Sequence, residues 1–586
     1  MSREMRSAHD LLSRWPALDV EPKRARLHHT LRLFPGALAD TMTANSAGVE
    51  AAAAALWRRD TSLWSRDPSI QEKIANRLGW LGSSALMADS IGRLRTFASE
   101  VKRDGFAHVV LLGMGGSSLA PEVLRSVIGA APGWPSLHVL DSTDPAAVRA
   151  AATPPERTLY LLASKSGTTI EPNSLAAHFR ERLEPAVPRW ADHFVAITDE
   201  GTELARRARA EQFRELFINP SDIGGRYSAM SYFGLVPAAL MGQDLDALVG
   251  WSLAMLSAAE SESGVELNPA AALALAIAAA ARAGCDKLTL MLPAALEPFG
   301  LWVEQLIAES TGKEGAGIVP IAGEALGTPE DYGDDRVFVR LRLRGSTDQQ
   351  ETDRALPGPA VDIECPEPSA LGGEFLRWEI ATAIVGAMLG INPFDEPNVQ
   401  QAKDATRTLL DRYKTAGRLP AKAADRTLPG GISLVLGDAA GTQLGADADA
   451  ILTLIRRGDY FALLAYLGPD EEIARELRGF RNAVRDRTRA ATMFGYGPRY
   501  LHSTGQLHKG GPNSGVFVLL TADPDEDVPI PGQDFSFGTL EQAQALGDFA
   551  SLGAAGRRVL HVHLPRPDAR LVREVATALL GRLAST

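Results

Sequence analysis

The sequence predicts an α/β protein built on two doubly wound parallel sheets, with a helical layer at the N-terminus and extra helices at the C-terminus. Three observations predict this class. Short apolar runs are bounded by turn residues, helix-length stretches separate these runs, and the pattern begins again near residue 287. The 586 residues are about four times the length of a typical domain, so we expect several domains and a large buried core.

The first two segments are an N-terminal helical layer and an α/β subdomain. Residues 1–103 form the layer, in which alanine-rich and charged helical stretches dominate. Residues 104–250 form the first α/β subdomain. Apolar runs of five or six residues indicate buried strands of a parallel sheet. The expected strands are His108–Leu112, Leu137–Leu140, Thr158–Ala163 and Phe194–Thr198.

Residues 251–415 form the second α/β subdomain. Its first helix is predicted over Ala270–Ala281, because Asn268 and Pro269 supply a helix cap and a first-turn proline. Its other expected elements are strands at Lys287–Leu292 and Val337–Leu343 and a helix over Glu374–Leu389.

The C-terminal segment, residues 416–586, is expected to add helices and to complete the second subdomain. A stretch rich in proline, glycine and aspartate, Pro420–Asp449, precedes a charged region that is predicted to be helical as far as Arg489. Strands are expected again at Val516–Thr521 and Val559–Leu564.

Composition excludes several classes of protein. The formal net charge of −12 argues against a nucleic-acid partner. Cys285 and Cys365 are too few for a disulfide framework or a cysteine metal site, which fits a reducing cytoplasm. The charged first ten residues lack a secretory signal, and no apolar run reaches the roughly 18 residues of a membrane span. We therefore expect a cytoplasmic protein without a membrane partner.

A glycine turn, Gly113–Pro121, follows the first strand and opens a helix. Glycines let a ligand approach the backbone, and the free amides of a helix start favour anions. Asp141 ends the next strand, where a ribose-binding acid would stand in a dinucleotide site. Ser118 replaces the third glycine of that fingerprint, so a nicotinamide dehydrogenase and a purely structural turn both stay open as alternatives.

Three further segments contain residues suited to chemistry on a phosphorylated substrate. The turn after the third strand carries four hydroxyl groups between Ser164 and Thr169, which can bind a phosphate monoester or simply cap the next helix. Arg226 follows two glycines, and Gln305 and Glu309 share one face of a helix. An arginine suits a developing oxyanion and a partly desolvated glutamate suits a general base, although surface positions would explain each residue alone.

Five segments in this order resemble the glucose-6-phosphate isomerase family, most closely the isomerase half of fused bacterial transaldolase/glucose-6-phosphate isomerase proteins. The resemblance implies two sugar-isomerase (SIS-type) subdomains and the interconversion of glucose 6-phosphate and fructose 6-phosphate through a cis-enediolate. It implies a small sugar phosphate as ligand, no metal or organic cofactor, and a homodimer. The matching segments are Leu112–Pro121, Ser164–Glu171, Gly224–Ser228, Gln305–Lys313 and Ile391–Lys403.

The resemblance also assigns roles to residues. Glu309 matches the base that moves a proton between C1 and C2, Arg226 matches the arginine that stabilises the enediolate, and Lys403 matches a lysine that takes part in ring opening. The implied substrate contacts are Gly116, Ser117, Ser164, Lys165, Ser166, Thr168, Thr169 and Gln305.

Two positions depart from the family pattern. No histidine follows the base at the expected distance, where the chain reads Thr328–Gly333, so we expect His502 to supply it, with His508 or Lys403 alone as alternatives. Glu396 stands where the family usually has glutamine, and it must be neutralised by a neighbour such as Lys403 or point away. Two other functions stay open: a dual-specificity phosphoglucose/phosphomannose isomerase and a non-catalytic sugar-phosphate-binding protein.

Overall fold

The computed structural model describes residues 14–260, 264–345, 356–420 and 422–583, and these form three β-sheets covered by helices. The predicted α/β class with parallel-sheet cores is confirmed. The helices are α1 Val20–Leu27, α2 Ala39–Trp57, α3 Pro68–Ala75, α4 Ser83–Arg103, α5 Leu119–Val127, α6 Pro145–Ala150, α7 Ile170–Leu183, α8 Glu203–Ala210, α9 Tyr232–Leu240, α10 Leu245–Glu260, α11 Pro269–Arg282, α12 Glu297–Thr311, α13 Leu371–Leu389, α14 Val399–Ala416, α15 Asp438–Leu444, α16 Glu471–Thr488, α17 Gly505–Gly510, α18 Phe537–Ala554 and α19 Ala569–Leu580.

The first sheet is fully parallel and has the order β3-β2-β4-β5-β6. Its central strands are buried on both faces, which explains why they read as continuous apolar runs. Two strands have the predicted bounds, and the edge strand β6 was not predicted. The strands are β2 His108–Leu112, β3 Ser136–Leu140, β4 Thr158–Ala163, β5 Phe194–Asp199 and β6 Glu215–Asn219.

The second sheet has the order β1-β10-β9-β7-β8. The N-terminal layer is not purely helical, because its strand β1 pairs antiparallel with β10 at the edge of this sheet. The other pairs are parallel, as predicted. The strands are β1 Leu31–Phe34, β7 Lys287–Met291, β8 Val319–Ile321, β9 Arg336–Leu343 and β10 Ala360–Cys365.

The C-terminal segment differs from its prediction, because its strands build a sheet of their own instead of completing the second subdomain. Six strands lie in the order β11-β12-β16-β15-β13-β14, with a separate apolar core. The region predicted to be helical as far as Arg489 contains strand β13, whose seven residues are all buried. The strands are β11 Arg426–Leu428, β12 Ile432–Leu436, β13 Tyr460–Tyr466, β14 Ala491–Tyr496, β15 Gly515–Ala522 and β16 Arg558–Leu564.

Helix α11 begins as predicted. The Asn268 side chain accepts hydrogen bonds from the backbone amides of Ala270 and Ala271, and Pro269 occupies the first turn. The helix is buried by α2 and α13 within the main core. In the part of the chain described, no helix combines the length and apolar character needed to cross a membrane.

The segment after β14 connects the third sheet to the first. Arg499 forms a two-pronged ion pair with Asp141 at the end of β3, with N···O distances of 2.7 and 2.8 Å. Tyr500 donates a hydrogen bond to Asp548 of α18 at 2.7 Å. These contacts fix the position of His502, two residues further on.

Candidate active site

Two glycine turns and the His502 segment meet at the carboxyl end of the first sheet. Gly115 has φ +54°, and a Cβ there would lie 2.6 Å from the His502 carbonyl oxygen. A Cβ on Gly116 would lie 2.1 Å from the Gly225 carbonyl oxygen. Both positions therefore require glycine, because side chains would separate the segments that carry Arg226 and His502.

Asp141, the candidate ribose-binding acid, is already engaged. Its carboxylate binds Arg499 on both oxygens and accepts a hydrogen bond from Ser118 at 3.1 Å. Its side chain is buried. The acid thus ties the His502 segment to the glycine turn, which disfavours the dinucleotide alternative.

The hydroxyl-rich turn is held by its own hydrogen bonds. Ser164 accepts a bond from the Gly167 amide and contacts the Thr169 hydroxyl at 3.1 Å, while Thr168 donates to Ser166 at 3.1 Å. Thr169 is the N-cap of α7, but its side chain makes no capping hydrogen bond. The capping alternative therefore does not account for its hydroxyl, and the start of a 14-residue helix adds a favourable field for an anion.

His502 pairs with a buried carboxylate beside this turn. Its Nε2 lies 2.8 Å from Glu171 Oε1, and Gln544 Nε2 donates to the same oxygen at 2.7 Å. Burial opposes ionisation of Glu171, but His502 and the more distant Lys403 outweigh it and lower the pKa of this carboxyl. Because the carboxylate engages Nε2, Nδ1 is the ring nitrogen that can exchange a proton with a substrate.

Glu309 is joined to the His502 segment through Gln305. Gln305 Nε2 donates to the His502 carbonyl oxygen at 2.8 Å and lies 3.3 Å from Glu309 Oε2. Gln305 and Glu309 stand one turn apart on α12, as the sequence predicts. The other carboxylate oxygen of Glu309 lies 3.4 Å from Arg226 Nη1.

Arg226 is buried and uses each of its nitrogens. Its Nε donates to Ser310 Oγ at 2.9 Å, and Nη2 donates to the carbonyl oxygens of Pro393 and Asp395 at 2.7 and 2.9 Å. Its Nη1 faces Glu309 and Glu396. The planar guanidinium thus fixes the loop before α14 while it keeps one edge beside the candidate base.

A second buried cation holds the same loop. Lys313 Nζ lies 2.7 Å from Asp395 Oδ1 and donates to the Asn392 carbonyl oxygen at 2.8 Å. Burial, together with the charge of Arg226, lowers the pKa of Lys313 to about 8. The segment from residue 392 to residue 396 is therefore held by Lys313 and Arg226.

The environment of Glu309 makes it a stronger base than an exposed carboxylate. Burial raises the pKa of this carboxyl; Arg226 opposes that effect, whereas the like charge of Glu396 adds to it. Lys313 and His502 act in the same direction as Arg226. A raised pKa suits a group that must take a proton from carbon and return it.

Glu396 is neutralised, and the neighbour that does so is Arg226 instead of Lys403. Its Oε2 lies 3.1 Å from Arg226 Nη1, and its side chain is 42% exposed. Glu309 and Glu396 therefore share one guanidinium nitrogen, Nη1 of Arg226.

A cavity of about 460 Å³ opens beside the His502–Glu171 pair, and its lining does not include Arg226, Gln305, Glu309 or Glu396. Thr168, Thr169, Glu171, His502 and Lys403 are among its lining residues. The cavity thus brings together the hydroxyl turn, the histidine–carboxylate pair and the lysine of α14.

Other predicted residues lie at the margin of this arrangement. Lys165 forms a salt bridge with Asp199 and donates to the Ser221 carbonyl oxygen at 3.0 Å, outside the cavity lining. Ser117 is buried in the glycine turn, where its amide donates to the Met114 carbonyl oxygen. The substrate contacts of Lys165, Gly116 and Ser117 stay predictions, as do those of Ser164, Ser166, Thr168, Thr169 and Gln305.

His508, the alternative histidine, lies in an apolar environment among Tyr460, Tyr500 and Phe517. It is 1% exposed, neither ring nitrogen has a hydrogen-bond partner within the described residues, and burial keeps its pKa well below the ordinary value. These surroundings favour His502 over His508 as the group that meets a substrate.

Sequence reasoning missed three groups that hold the site. Glu171 ends one of the matching segments and Lys313 ends another, but neither was assigned a role. Gln544 carried no signal, because it meets Glu171 across 373 positions of sequence. Only the fold could place these partners.

Comparison with known proteins identifies the family. The sequence profile of the phosphoglucose isomerase family matches residues 92–320. A protein of Natronomonas pharaonis named as a probable glucose-6-phosphate isomerase is 32% identical over 346 residues, which cover 52% of this chain and 78% of the relative. The chain belongs to the phosphoglucose isomerase family.

A second relative agrees with this assignment to the phosphoglucose isomerase family. The glucose-6-phosphate isomerase of Parasynechococcus marenigrum is 28% identical over 472 residues, covering 72% of this chain and 84% of that protein. A solved structure of a hypothetical protein from Thermus thermophilus shares the fold, with a TM-score of 0.53 and 23% identity over 64% of this chain and 99% of that one. The expectation of an aldose–ketose isomerase enzyme is confirmed.

Proposed function

We propose that this chain interconverts D-glucose 6-phosphate and D-fructose 6-phosphate. One observation carries the proposal: His502 joins the two halves of the site. Its ring binds Glu171 beside the threonines of the cavity, and its carbonyl oxygen holds Gln305, which contacts the base Glu309. A sugar whose phosphate occupies the hydroxyl turn therefore has an acid–base group and a carbon base on adjacent segments.

In the proton-transfer step, Glu309 removes the proton from C2 of the open-chain aldose. The electron pair shifts to form the C1–C2 double bond of a cis-enediolate and places negative charge on O1. Arg226 stabilises this charge. Glu309 then returns the proton to C1, while the O2 proton leaves and O1 is protonated, which gives the ketose.

Ring opening comes first, because the substrate is mostly cyclic. His502 Nδ1 gives a proton to the ring oxygen O5 as the C1–O5 bond breaks, and the O1 hydroxyl gives its proton to a solvent water as the C1=O1 double bond forms. Glu171 orients the imidazole through Nε2 and Gln544 orients Glu171. Lys403 lines the same cavity and adds positive charge beside the substrate.

A coupled assay tests the activity. Purified protein is mixed with fructose 6-phosphate and the product is oxidised by glucose-6-phosphate dehydrogenase, so that NADPH appears only if isomerisation occurs. A sugar-phosphate sensor would bind fructose 6-phosphate, as calorimetry can detect, without producing NADPH. Replacing the substrate by mannose 6-phosphate distinguishes the dual-specificity alternative.

The role of His502 predicts that His502→Ala lowers kcat for glucose 6-phosphate by roughly 10²–10⁴-fold, as is typical for loss of a general acid. His508→Leu is the matched control. It replaces a buried imidazole that makes no hydrogen bond, so near wild-type kcat is expected. If His502→Ala isomerises cyclic substrate as fast as the wild type, ring opening does not depend on this histidine.

The shared guanidinium predicts a pH effect for Glu396→Gln. Removing the like charge lowers the pKa of Glu309, so the base stays ionised to lower pH. The acidic limb of the kcat/KM profile is therefore expected to move to lower pH. Glu297→Gln is the control, because it removes the same charge from the exposed start of α12. An acidic limb that moves equally in both variants, or not at all in Glu396→Gln, would contradict the coupling.

A cytoplasmic location and a homodimer are part of the proposal. Cys285 and Cys365 are both free thiols, as expected in a reducing compartment. The dimer rests on the family resemblance and is tested by the sedimentation of the purified protein.

A further inference from the structure

A second cleft lies where the third sheet meets the second. Its volume is about 720 Å³, and it shares no lining residue with the cavity at His502. One wall is the turn Tyr332–Asp335 before β9, and the other comes from the loop before β13 and the end of α16. The cleft is thus separate from the isomerase site and belongs to the junction of two sheets.

Arginines dominate this cleft. The cleft is lined by five arginines and three aspartates. Two of the three aspartates are neutralised by cations that do not line the cleft. Asp459 binds the buried Arg558 at 2.7 Å, and Asp335 lies 3.4 Å from the buried Lys287. The lining arginines are Arg456, Arg457, Arg487, Arg489 and Arg582.

Two of these arginines have acidic partners. Arg457 forms a salt bridge with Asp334, the third lining aspartate. Arg582 lies 3.0 Å from Asp447 and 3.5 Å from Asp449. Any net positive charge of the cleft therefore comes from the other three arginines.

The remaining three arginines make no salt bridge with a carboxylate in the described ranges. Arg456 donates to the Gln443 side-chain oxygen at 3.2 Å, and Arg487 donates to the Leu580 carbonyl oxygen at 2.9 Å. Arg489 is exposed and acts on Asp331 only through its charge. Neutral acceptors leave the positive charge of Arg456 and Arg487 uncompensated.

We propose that this arginine cleft binds a small anion that carries two or more linked phosphate groups. Guanidinium groups bind phosphate oxygens in pairs, and the three arginines that form no salt bridge within the described residues supply the positive charge that a diphosphate needs. The volume lies in the range of small-molecule sites and exceeds the need of a single phosphate. The ligand is an inorganic or a nucleoside diphosphate, which share this chemistry.

Thermal unfolding with inorganic pyrophosphate tests the proposal, at constant ionic strength maintained with chloride. A ligand that binds the folded state raises Tm with its concentration and saturates, and calorimetry gives Kd. The double variant Arg487→Gln/Arg489→Asn is expected to bind about tenfold or more weakly. Asparagine suits position 489, where φ is +59°. Arg475→Gln, an exposed site on α16 outside the cleft, is expected to bind like the wild type.

The hydroxyl turn is a second place where pyrophosphate could bind, and a variant separates the two. Thr168→Ala/Thr169→Ala is expected to keep the pyrophosphate effect although it weakens sugar-phosphate binding. Loss of the effect in this variant, with no change in the arginine variant, would overturn the cleft assignment. Absence of any saturable effect, or equal affinity for orthophosphate, would do the same. Tighter binding of ADP than of pyrophosphate identifies the nucleoside form, and the reverse identifies the inorganic one.

Discussion

Glu309→Gln is expected to lower kcat by roughly 10²–10⁴-fold, because glutamine keeps the shape of the side chain but cannot accept the proton from carbon. The fold should be retained, since the amide still fits beside Gln305. Exchange of solvent deuterium into C1 or C2 of the sugar phosphate should fall with kcat. The coupled assay measures turnover, and NMR of the recovered substrate measures exchange.

Glu304→Gln on the same helix is the matched control. Glu304 is buried and accepts a hydrogen bond from the Ala322 amide at 2.9 Å, and burial raises its pKa to about 8. At pH 7 this side chain is therefore mostly uncharged, and glutamine mimics it closely. Turnover should be near that of the wild type. Deuterium exchange in Glu309→Gln at the wild-type rate would show that another group is the base.

The sequence predicted correctly those elements whose structure depends on residues close together in the chain, namely two buried strands and the start of one helix. Strands His108–Leu112 and Thr158–Ala163 have the predicted bounds, because a strand buried on both faces is a continuous apolar run between turn residues. The helix Pro269–Arg282 begins as predicted, because its cap and first-turn proline act within one turn.

The errors fall where the neighbours in space decide the structure. Tyr460–Tyr466 is an apolar run that can be a strand or a segment of buried helix, and only its pairing between β14 and β15 makes it a strand. The strands at Val516–Thr521 and Val559–Leu564 were found, but their sheet was assigned wrongly. The residue pattern of a strand shows which of its faces are buried, but it does not show which other strands pair with it.

The site shows the same division. Glu309, Arg226 and the hydroxyl turn were found from motifs and a family resemblance, and α12 places Gln305 one turn before Glu309 as the spacing predicts. The ion pair of Arg226 with Glu396 joins residues 170 positions apart, and Glu171 meets His502 across 331 positions. Such contacts depend on how the sheets dock, and a single sequence carries no local pattern for them.

Arg226→Lys is expected to lower kcat by about 10²–10³-fold, the usual effect of losing a group that stabilises an oxyanion. Lysine keeps the charge but loses the planar fork that binds Ser310, the Pro393 carbonyl oxygen and the carboxylates together. Each buried acceptor left without a donor also costs about 1–3 kcal/mol of folding stability. We therefore expect a lower Tm together with the loss of turnover, measured by circular dichroism and by the coupled assay.

Arg481→Lys separates the two effects. Arg481 is also buried, and it donates to the Thr492 carbonyl oxygen at 3.1 Å and to the Ala322 carbonyl oxygen at 2.8 Å, so it joins β14 to the end of β8 instead of holding the loop before α14. Its replacement should lower Tm in a similar way while kcat, assayed well below the transition, stays close to the wild-type value. Equal losses of kcat in the two variants would mean that Arg226 acts through stability alone. A loss confined to Arg226→Lys would show that the guanidinium acts within the site, on the enediolate or on Glu309, and not through stability alone, because both variants lose buried hydrogen bonds and only one lies beside Glu309.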